Sequence, residues 1–234
     1  MTMAIELICL DADDTLWHNM RHFVATEEAL VSLLAPFAEA RVARATLETC
    51  EARNLRLYGY GAKGFTLSMI ETAVELAGPT LPTDLIARVL EAGRQLLAHP
   101  VELLDGIADT MAELAERGRL VLVTKGDLLH QEAKLAASGL GAHFADVAIV
   151  SDKTPDTFRQ IFARHGVEPE AAVMAGDSMR SDVLPALKAG AWAAYIPQPL
   201  AWSHEAGEEP MDHPRFSRLA RLGDLPAWID AIGG

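Results

Sequence analysis

Acidic residues, hydroxyls and lysines follow four short apolar runs of the sequence, each at the point where the run ends. Residues 11–15 (DADDT) follow the first run, and residues 124–127 (TKGD) end the second. Lys153 comes after the third run, and residues 176–182 (GDSMRSD) come after the fourth. Turn chemistry could explain any single segment, because Asp, Ser, Thr and Gly are common where helices start. Their recurrence at four strand ends favours one shared crevice.

The acidic members of this set suit a divalent cation. Without a cation, these carboxylates would repel one another if the fold brought them together. The residues are Asp11, Asp13, Asp14, Asp177 and Asp182. Hard oxygen ligands of this kind suit Mg²⁺. With Lys153 and the hydroxyl of Thr124, such a metal would balance the charge of a phosphoryl group, whose transfer needs mainly positioning and charge stabilisation.

Spacing within the first segment adds a chemical possibility. A carboxylate can act as a nucleophile, and a second carboxylate two residues on can serve as acid and base. Residues i and i+2 of an extended segment point the same way. Asp11 and Asp13 can therefore face one substrate, while Asp14 is expected to point elsewhere.

Five apolar runs have the length and composition of buried strands. Short, nearly continuous apolar runs are typical of a parallel sheet that is covered on both faces. The runs are Ile5–Leu10, Leu120–Thr124, Val147–Val150, Ala172–Ala175 and Ala191–Ile196. Helix-like segments separate them from the second run onward, for example Leu129–Ser138 and Thr157–His165, which are followed by Gly139 and Gly166. This alternation predicts an α/β fold with a doubly wound, Rossmann-like parallel sheet.

The segment between the first and second runs is far longer than an ordinary crossover. Its apolar spacing predicts about four amphipathic helices. These are Phe23–Ala38, Val42–Leu57, Phe65–Leu76 and Leu85–Leu97. We therefore predict a helical cap domain over residues 17–99, inserted into a catalytic core made of residues 1–16 and 100–234.

Composition limits the kinds of partner that we expect for this protein. The formal net charge of −13 argues against a nucleic-acid binder, which needs Lys and Arg against phosphates. Neither a signal peptide nor a membrane-spanning run is apparent. Cys9 and Cys50 provide no disulfide framework, which favours a reducing compartment. We expect a cytoplasmic monomer or homodimer that acts on a small phosphorylated molecule, without nucleic-acid or membrane partners.

The ordered segments resemble the motifs of the haloacid dehalogenase superfamily of hydrolases. The Asp-x-Asp-x-Thr of residues 11–15 resembles motif one, Thr124 motif two and Lys153 motif three. The Gly-Asp-Ser-x-x-x-Asp of residues 176–182 resembles motif four. Each motif alone is weak, but their order is specific, and the helical insert lies where that family carries its cap.

The resemblance implies roles for these residues. Asp11 would be the nucleophile and Asp13 the general acid and base. Mg²⁺ would be held by the Asp11 carboxylate, the Asp13 backbone carbonyl and Asp177, with Asp182 holding the metal or its waters. Thr124 and Lys153 would bind the phosphate.

The second aspartate of motif one discriminates within the family. Dehalogenases that resemble this fold lack it, and phosphonate-cleaving members depart there and use a cap lysine. With Asp13 present, the chain resembles the phosphatases. A phosphomutase, a dehalogenase-like hydrolase and a non-catalytic binding protein on the same scaffold stay as alternatives. The last of these would be expected to have lost Asp11, Asp13 or Lys153, and none is missing.

Substrate-binding residues outside the motifs are less constrained by the sequence. The glycine-rich segment of residues 59–64 lies between two predicted cap helices, where Tyr60 and Lys63 could select the substrate. A flexible connector is the alternative for this segment. Lys125 could orient the substrate or simply begin the next helix.

Overall fold

The computed structural model describes residues 4–200 and 202–233, which include a six-stranded sheet. Its strands are β1 (Leu7–Leu10), β2 (Arg119–Lys125), β3 (Phe144–Val150), β4 (Ala172–Gly176), β5 (Trp192–Tyr195) and β6 (Phe216–Arg218). They lie in the order β3-β2-β1-β4-β5-β6, and each adjacent pair is parallel. The chain thus winds outward in both directions from β1. The predicted doubly wound parallel α/β fold with a helical insert is confirmed.

The five predicted strands are all present, with ends shifted by a few residues, but β6 was not predicted. It is only three residues long and pairs with β5 through residues 216–218. Its sequence, Phe-Ser-Arg, is too short and too polar to stand out as an apolar run. A short strand at the edge of a sheet is fixed by its neighbour rather than by its own composition.

Four helices fill the long insert after β1, as predicted. They are α1 (Met20–Leu34), α2 (Ala40–Tyr58), α3 (Ala62–Ala77) and α4 (Thr83–Leu97). The remaining helices of the described residues are α5 (Ile107–Ala115), α6 (Leu128–Ser138), α7 (Pro155–His165), α8 (Leu184–Ala189) and α9 (Leu225–Gly233). The helix α8 is one of the helix-like segments predicted between successive strands, whereas α9, which follows the last predicted strand, was not predicted. Gly166 has φ 64° just after α7, as expected of a glycine that ends a helix.

The chain divides into two compact units. The larger contains residues up to 20, residues 101–125 and residues from 131 onward, and the smaller contains residues 21–100 and 126–130. Residues 100 and 126–130 of the predicted core belong to the smaller unit, and the predicted insert also includes residues 17–20. These last four residues belong to the larger unit, where Trp17 forms a bridge with Leu103 and the His18 N–H donates to the Glu102 carbonyl at 3.0 Å. Residues 1–3, 201 and 234 of the predicted core lie outside the described residues.

Both faces of the sheet in the larger unit are apolar. Alternate residues of β1 enter different clusters, with Leu7 and Cys9 on the face covered by α7 and α8. Ile8 and Leu10 lie on the face covered by α5 and α9. Burial of β1 on both faces explains its continuous apolar run. It also raises the pKa of the Cys9 thiol to about 12, which keeps that thiol protonated.

The smaller unit has an apolar core of its own. Its members come from all four helices α1 to α4, among them Leu34, Leu47, Met69 and Val89. The helices thus bury one face each, as amphipathic spacing requires. No helix in residues 4–200 and 202–233 combines the length and the apolar character needed to cross a bilayer.

Candidate active site

The site lies where the strand order reverses at the centre of the sheet. Strands β1 and β4 are neighbours, and ligands of open α/β sheets bind outside the carboxyl ends of strands at such a point. Asp11 directly follows β1, and its N–H donates to the Ala175 carbonyl of β4 at 3.0 Å. Asp177 directly follows β4. The sheet therefore brings the ends of motif one and motif four side by side.

Three carboxylates meet at this point. One oxygen from each of Asp11, Asp177 and Asp182 can be chosen so that all lie within 4.8 Å of one another. Asp182 is fully buried and Asp11 is 7% exposed. Asp182 lies on a five-residue π-helical turn, Met179–Val183, that leads from β4 toward α8. Such turns occur often at functional sites.

Gly176, the last residue of β4, allows this close approach. A Cβ atom at that position would lie 2.2 Å from Asp182 Oδ2 and 3.0 Å from Asp11 Cβ. Both distances are too short for a side chain to fit without movement. The carboxylate of Asp182 therefore occupies the space that a larger residue would fill.

Lys153 is the cation of this cluster. Its Nζ donates to Asp11 Oδ1 and, at 2.6 Å, to Asp182 Oδ1. Burial alone would lower the pKa of Lys153, but the charges of Asp11 and Asp182 and their hydrogen bonds hold it above its usual value. Lys153 is thus a buried, charged ammonium group.

One lysine does not neutralise three carboxylates. Burial raises the pKa of Asp11 to about 7, with the charges of Asp182 and Asp13 acting in the same direction and Lys153 acting against them. Burial and the charges of Asp11, Asp182 and Asp14 raise the pKa of Asp177 well above its usual value. These shifts mean that further positive charge would be accommodated here. An all-carboxylate oxygen set fits Mg²⁺ by ligand type.

Asp13 has a set of donors of its own, different from Lys153. Lys134 Nζ lies 2.5 Å from Asp13 Oδ1 and 2.7 Å from Oδ2. Trp17 Nε1 donates to Oδ1 at 2.7 Å, and Gln131 Nε2 donates to Oδ2 at 3.1 Å. Burial alone would raise the pKa of Asp13, but the charge of Lys134 and these hydrogen bonds outweigh it and hold the pKa below its usual range.

Two hydroxyls complete the edge of the site. Thr124, at the end of β2, is buried, and its Oγ1 accepts from Gln131 Nε2 at 2.6 Å. Thr15 Oγ1 donates to Asp11 Oδ2 at 3.2 Å and accepts from the Asp177 N–H at 3.2 Å. Thr15 thereby links the residues that follow β1 and β4.

Asp14 points away from the cluster, as its place in the sequence predicts. It adopts a left-handed backbone conformation with φ 60°. Its carboxylate accepts from the backbone N–H groups of Asn19 and Met20 where α1 begins, at 2.9–3.1 Å. A strained backbone conformation of this kind is often found at functional sites, and here it lies next to Asp13.

A sequence model of the family described as haloacid dehalogenase-like hydrolase matches residues 5–190. The chain belongs to this family. It is 29% identical to a phosphoserine phosphatase from Thermus thermophilus over 94% of this chain and 96% of that protein. It is 28% identical to an N-acylneuraminate-9-phosphatase from Mus musculus over 58% of this chain and 55% of that protein.

A solved structure of a haloacid dehalogenase-like family hydrolase from Xanthomonas campestris is similar throughout. It shares 37% identity with this chain, covers 98% of it and 92% of its own length, and has a TM-score of 0.88. An L-2-haloacid dehalogenase from Xanthobacter autotrophicus shares the fold with a TM-score of 0.63 at 20% identity, covering 97% of this chain and 98% of its own. The family predicted from the ordered motifs is therefore confirmed.

The side chains that surround the motif residues in this hydrolase are not evident from its sequence. Gln131 and Lys134 are buried on α6, and neither was predicted to lie at the site. Their only signal in the sequence is their three-residue spacing, which puts them on one helix face. Lysine is usually exposed, so burial could not be inferred from residue type.

Lys125 forms an ion pair with Glu205, which was not predicted to lie near it. Its Nζ donates to Glu205 Oε1 at 2.5 Å and to Ser181 Oγ at 2.6 Å. Ser178 and Ser181 donate to the other oxygen of Glu205. Burial would raise the pKa of Glu205, but the charge of Lys125 and these hydrogen bonds lower it overall. The predicted substrate role of Lys125 stays a prediction.

Tyr60 and Lys63 belong to the smaller unit. Lys63 Nζ lies 2.8 Å from Asp127 Oδ1, and this hydrogen bond lowers the pKa of Asp127. Asp127 is grouped with the smaller unit although it follows Lys125 by only two residues. The segment after motif two and the glycine-rich segment of the insert are thus joined by an ion pair within one compact unit.

Proposed function

We propose that this protein is a Mg²⁺-dependent phosphatase that hydrolyses a small phosphorylated metabolite through an aspartyl-phosphate on Asp11. The observation that carries the proposal is the arrangement at the carboxyl ends of β1 and β4. There the Asp11 carboxylate contacts Lys153 and lies beside Asp177 and Asp182, with Asp13 two residues on. Two phosphatase relatives, whose names refer to different phosphate esters, support a phosphomonoester as the substrate class.

The chemistry follows from the residues. An Asp11 carboxylate oxygen attacks phosphorus, and the bond between phosphorus and the leaving oxygen breaks. Asp13 gives a proton to that oxygen, so that an alcohol departs. A water molecule, whose proton Asp13 takes back, then attacks phosphorus and releases inorganic phosphate, which restores Asp11. Asp13 is therefore ionised at the end of the first step, which is the form that Lys134 and the other donors stabilise and the form that accepts a proton from water, and it is protonated at the end of the second.

The remaining residues balance charge. Lys153, buried and cationic, lies where it can bind a phosphoryl oxygen next to Asp11, and the Thr124 hydroxyl can donate to another. Asp11, Asp177 and Asp182 would hold Mg²⁺ together with the backbone carbonyl of Asp13. When bound, Mg²⁺ would supply Lewis-acid stabilisation of the phosphoryl oxygens.

Asp13 argues for phosphate ester hydrolysis over dehalogenation. Halide is expelled without a proton, whereas an alkoxide leaving group needs one. In this protein, donors from three side chains fix the Asp13 carboxylate beside the proposed phosphate-binding Thr124. These contacts to the residue that would act as acid and base support a phosphatase over a dehalogenase.

The test is turnover of an aryl phosphate such as p-nitrophenyl phosphate, with Mg²⁺ and with excess chelator. We expect activity with Mg²⁺ and its reversible loss on chelation. The products should be p-nitrophenol and inorganic phosphate in equal amounts. Asp11→Asn should leave less than about one per cent of activity, because an amide is a poor nucleophile. Asp105→Asn, at an exposed position of the larger unit, is the matched control.

Four results would contradict the proposal or one of its parts. Full activity in chelator would remove the metal from it, and an active Asp11→Asn variant with a normal thermal melt would remove the covalent route. Phenol release without matching phosphate would point to transfer to a second alcohol, as in a phosphomutase. Absence of turnover across a panel of phosphorylated metabolites would favour the non-catalytic alternative.

A further inference from the structure

The helix α6 has two buried residues that are both polar, although Leu135 of the same helix packs, partly buried, against the core. Its buried positions are Gln131 and Lys134, whereas Leu128 and Leu129 are 56% and 70% exposed. A helix of a globular protein normally turns its leucines inward and its lysines outward. Burying Lys134 is costly unless its charge is paired. Lys134 is only 4% exposed, and its charge is paired there with Asp13.

These two residues both contact the Asp13 carboxylate. Lys134 also contacts Asn19 Oδ1 at 3.4 Å, and Gln131 also donates to the Lys125 carbonyl at 2.8 Å. Lys134 Nζ lies within hydrogen-bond distance of both oxygens of Asp13, at 2.5 Å and 2.7 Å. Gln131, one turn earlier on the same face, donates its amide to Asp13 Oδ2 at 3.1 Å and to Thr124 Oγ1 at 2.6 Å. One amide group therefore spans the end of motif one and the end of motif two.

We infer that Lys134 and Gln131 are positioning residues that fix the Asp13 carboxylate in the orientation from which it serves the leaving group. This inference rests on the proposed function, in which Asp13 exchanges a proton with the departing oxygen. Lys134 acts through Asp13 rather than on the substrate. Gln131 also sets the distance between Asp13 and the Thr124 hydroxyl that is proposed to bind the phosphate.

Geometry explains why such residues matter. An aspartate side chain has few torsions, but each allows several orientations of its carboxylate. Contacts to both oxygens, with Trp17 Nε1 as a further donor to Oδ1 at 2.7 Å, leave the group little freedom. A misplacement of about 1 Å can cost about 10²-fold in rate even when the reactive group itself is intact.

The alternative is that the Lys134–Asp13 ion pair only stabilises the fold. The two readings differ in their dependence on the leaving group. A structural role would lower stability and slow all substrates alike. A positioning role would slow phosphate esters with poor leaving groups far more than those with good ones, because only the former need a well-placed proton donor.

The experiment compares kcat/KM for an alkyl phosphate that the wild type hydrolyses and for p-nitrophenyl phosphate. Lys134→Met removes the charge and keeps the length, and Gln131→Met removes the bridging amide. Asp13→Asn sets the scale, with an expected loss of about 10²–10⁴-fold on the alkyl substrate. Lys188→Met, at an exposed position of α8, is the matched control.

For Lys134→Met we expect a loss of about 10–10²-fold on the alkyl phosphate and less than about 3-fold on the aryl phosphate. Rapid mixing with the aryl phosphate should still show a burst of phenol, followed by a slower steady rate, because the attack of water also needs Asp13. Lys134→Arg should recover part of the alkyl activity. Gln131→Met should show the same selectivity with a smaller loss.

Equal losses on both substrates, or no loss on the alkyl phosphate, would overturn the inference while the proposed function stands. A wild type without phosphatase activity, or an active Asp11→Asn variant, would overturn the proposed function and the inference with it. Should Lys134→Met fail to fold, Gln131→Met gives the decisive comparison, since it leaves the buried charge pair in place.

Discussion

The close approach of the Asp182 carboxylate to Gly176 predicts a large effect of Gly176→Ala. The new Cβ would lie 2.2 Å from Asp182 Oδ2 and 2.5 Å from Asp182 Cγ. Carbon–oxygen contacts are usually about 3.3–3.6 Å, so the carboxylate must move by about 1 Å. The backbone of β4 can yield little, because it is paired with β1 on one side and β5 on the other.

Moving that carboxylate breaks its contacts. Asp182 Oδ1 accepts from Lys153 at 2.6 Å, and Oδ2 accepts from the Ser178 N–H at 3.0 Å. Losing one hydrogen bond to a charged group costs about 1.5–3 kcal/mol. Strain from the added methyl group adds about 1–3 kcal/mol. We expect the free energy of unfolding to fall by about 2.5–6 kcal/mol, and Tm by at least about 5 °C.

The assay is thermal unfolding in chelator, followed by Mg²⁺ titration of phosphatase activity. Displacing Asp182 should weaken activation by Mg²⁺ by about 10-fold or more, as loss of a supporting contact commonly does. Gly141→Ala is the control, since a Cβ there would meet nothing within 4 Å. If Gly176→Ala matched this control in both Tm and Mg²⁺ response, the close packing of Asp182 against β4 would not be what organises the site.

The other predictions concern the substrate and pH. Replacing Tyr60 and Lys63 with alanine should change the ranking of kcat/KM across phosphorylated metabolites while sparing a small aryl phosphate; an unchanged ranking would mean that the segment only connects helices. Because burial raises the pKa of Asp11 to about 7 from its usual 3.8, the metal-free fold holds that proton more tightly than the unfolded chain does. Stability of the metal-free protein should therefore fall as pH rises from about 4 to about 7, and Mg²⁺ should bind more tightly above about pH 7. Stability in chelator that rises over this window, or proton-independent Mg²⁺ binding by calorimetry, would contradict the shift.

The sequence predicts those parts of the fold that local chemistry specifies. The central strands are buried on both faces, so their continuous apolar runs are visible without a structure. The polar segments after β1, β2 and β4 can be located because the carboxyl ends of parallel strands share one edge. By contrast, β6 takes its conformation from β5, and nothing in residues 216–218 alone indicates a strand.

The neighbours of the motif residues could not be predicted for a different reason. Lys134 is separated from Asp13 by 121 residues, and Glu205 from Lys125 by 80. Such pairs are fixed by tertiary structure, and the residue types involved are normally exposed. The burial of Gln131 and Lys134 also runs against the amphipathic pattern of α6. Functional sites are where local rules of this kind are most often broken.

The two kinds of carboxylate in the site are neutralised in different ways, and this difference bears on their proposed roles. Asp13 has a lysine of its own in Lys134. Lys153 contacts Asp11 and Asp182, and Asp177 lies beside them, so with all four groups ionised the cluster carries a net charge of −2, three carboxylates against one ammonium. A phosphate dianion approaching that cluster would be repelled at close range in a site of low dielectric.

One divalent cation would bring the net charge of the Asp11 cluster to zero before the substrate arrives. Asp13 does not need this cation for charge balance, because Lys134 already neutralises it. The metal requirement is thus expected at the nucleophile and the phosphate, and Asp13 is expected to work on protons with its orientation set by α6. Chelation and Lys134→Met should accordingly differ in kind. Chelation should remove aryl and alkyl phosphate hydrolysis together, while Lys134→Met should separate them.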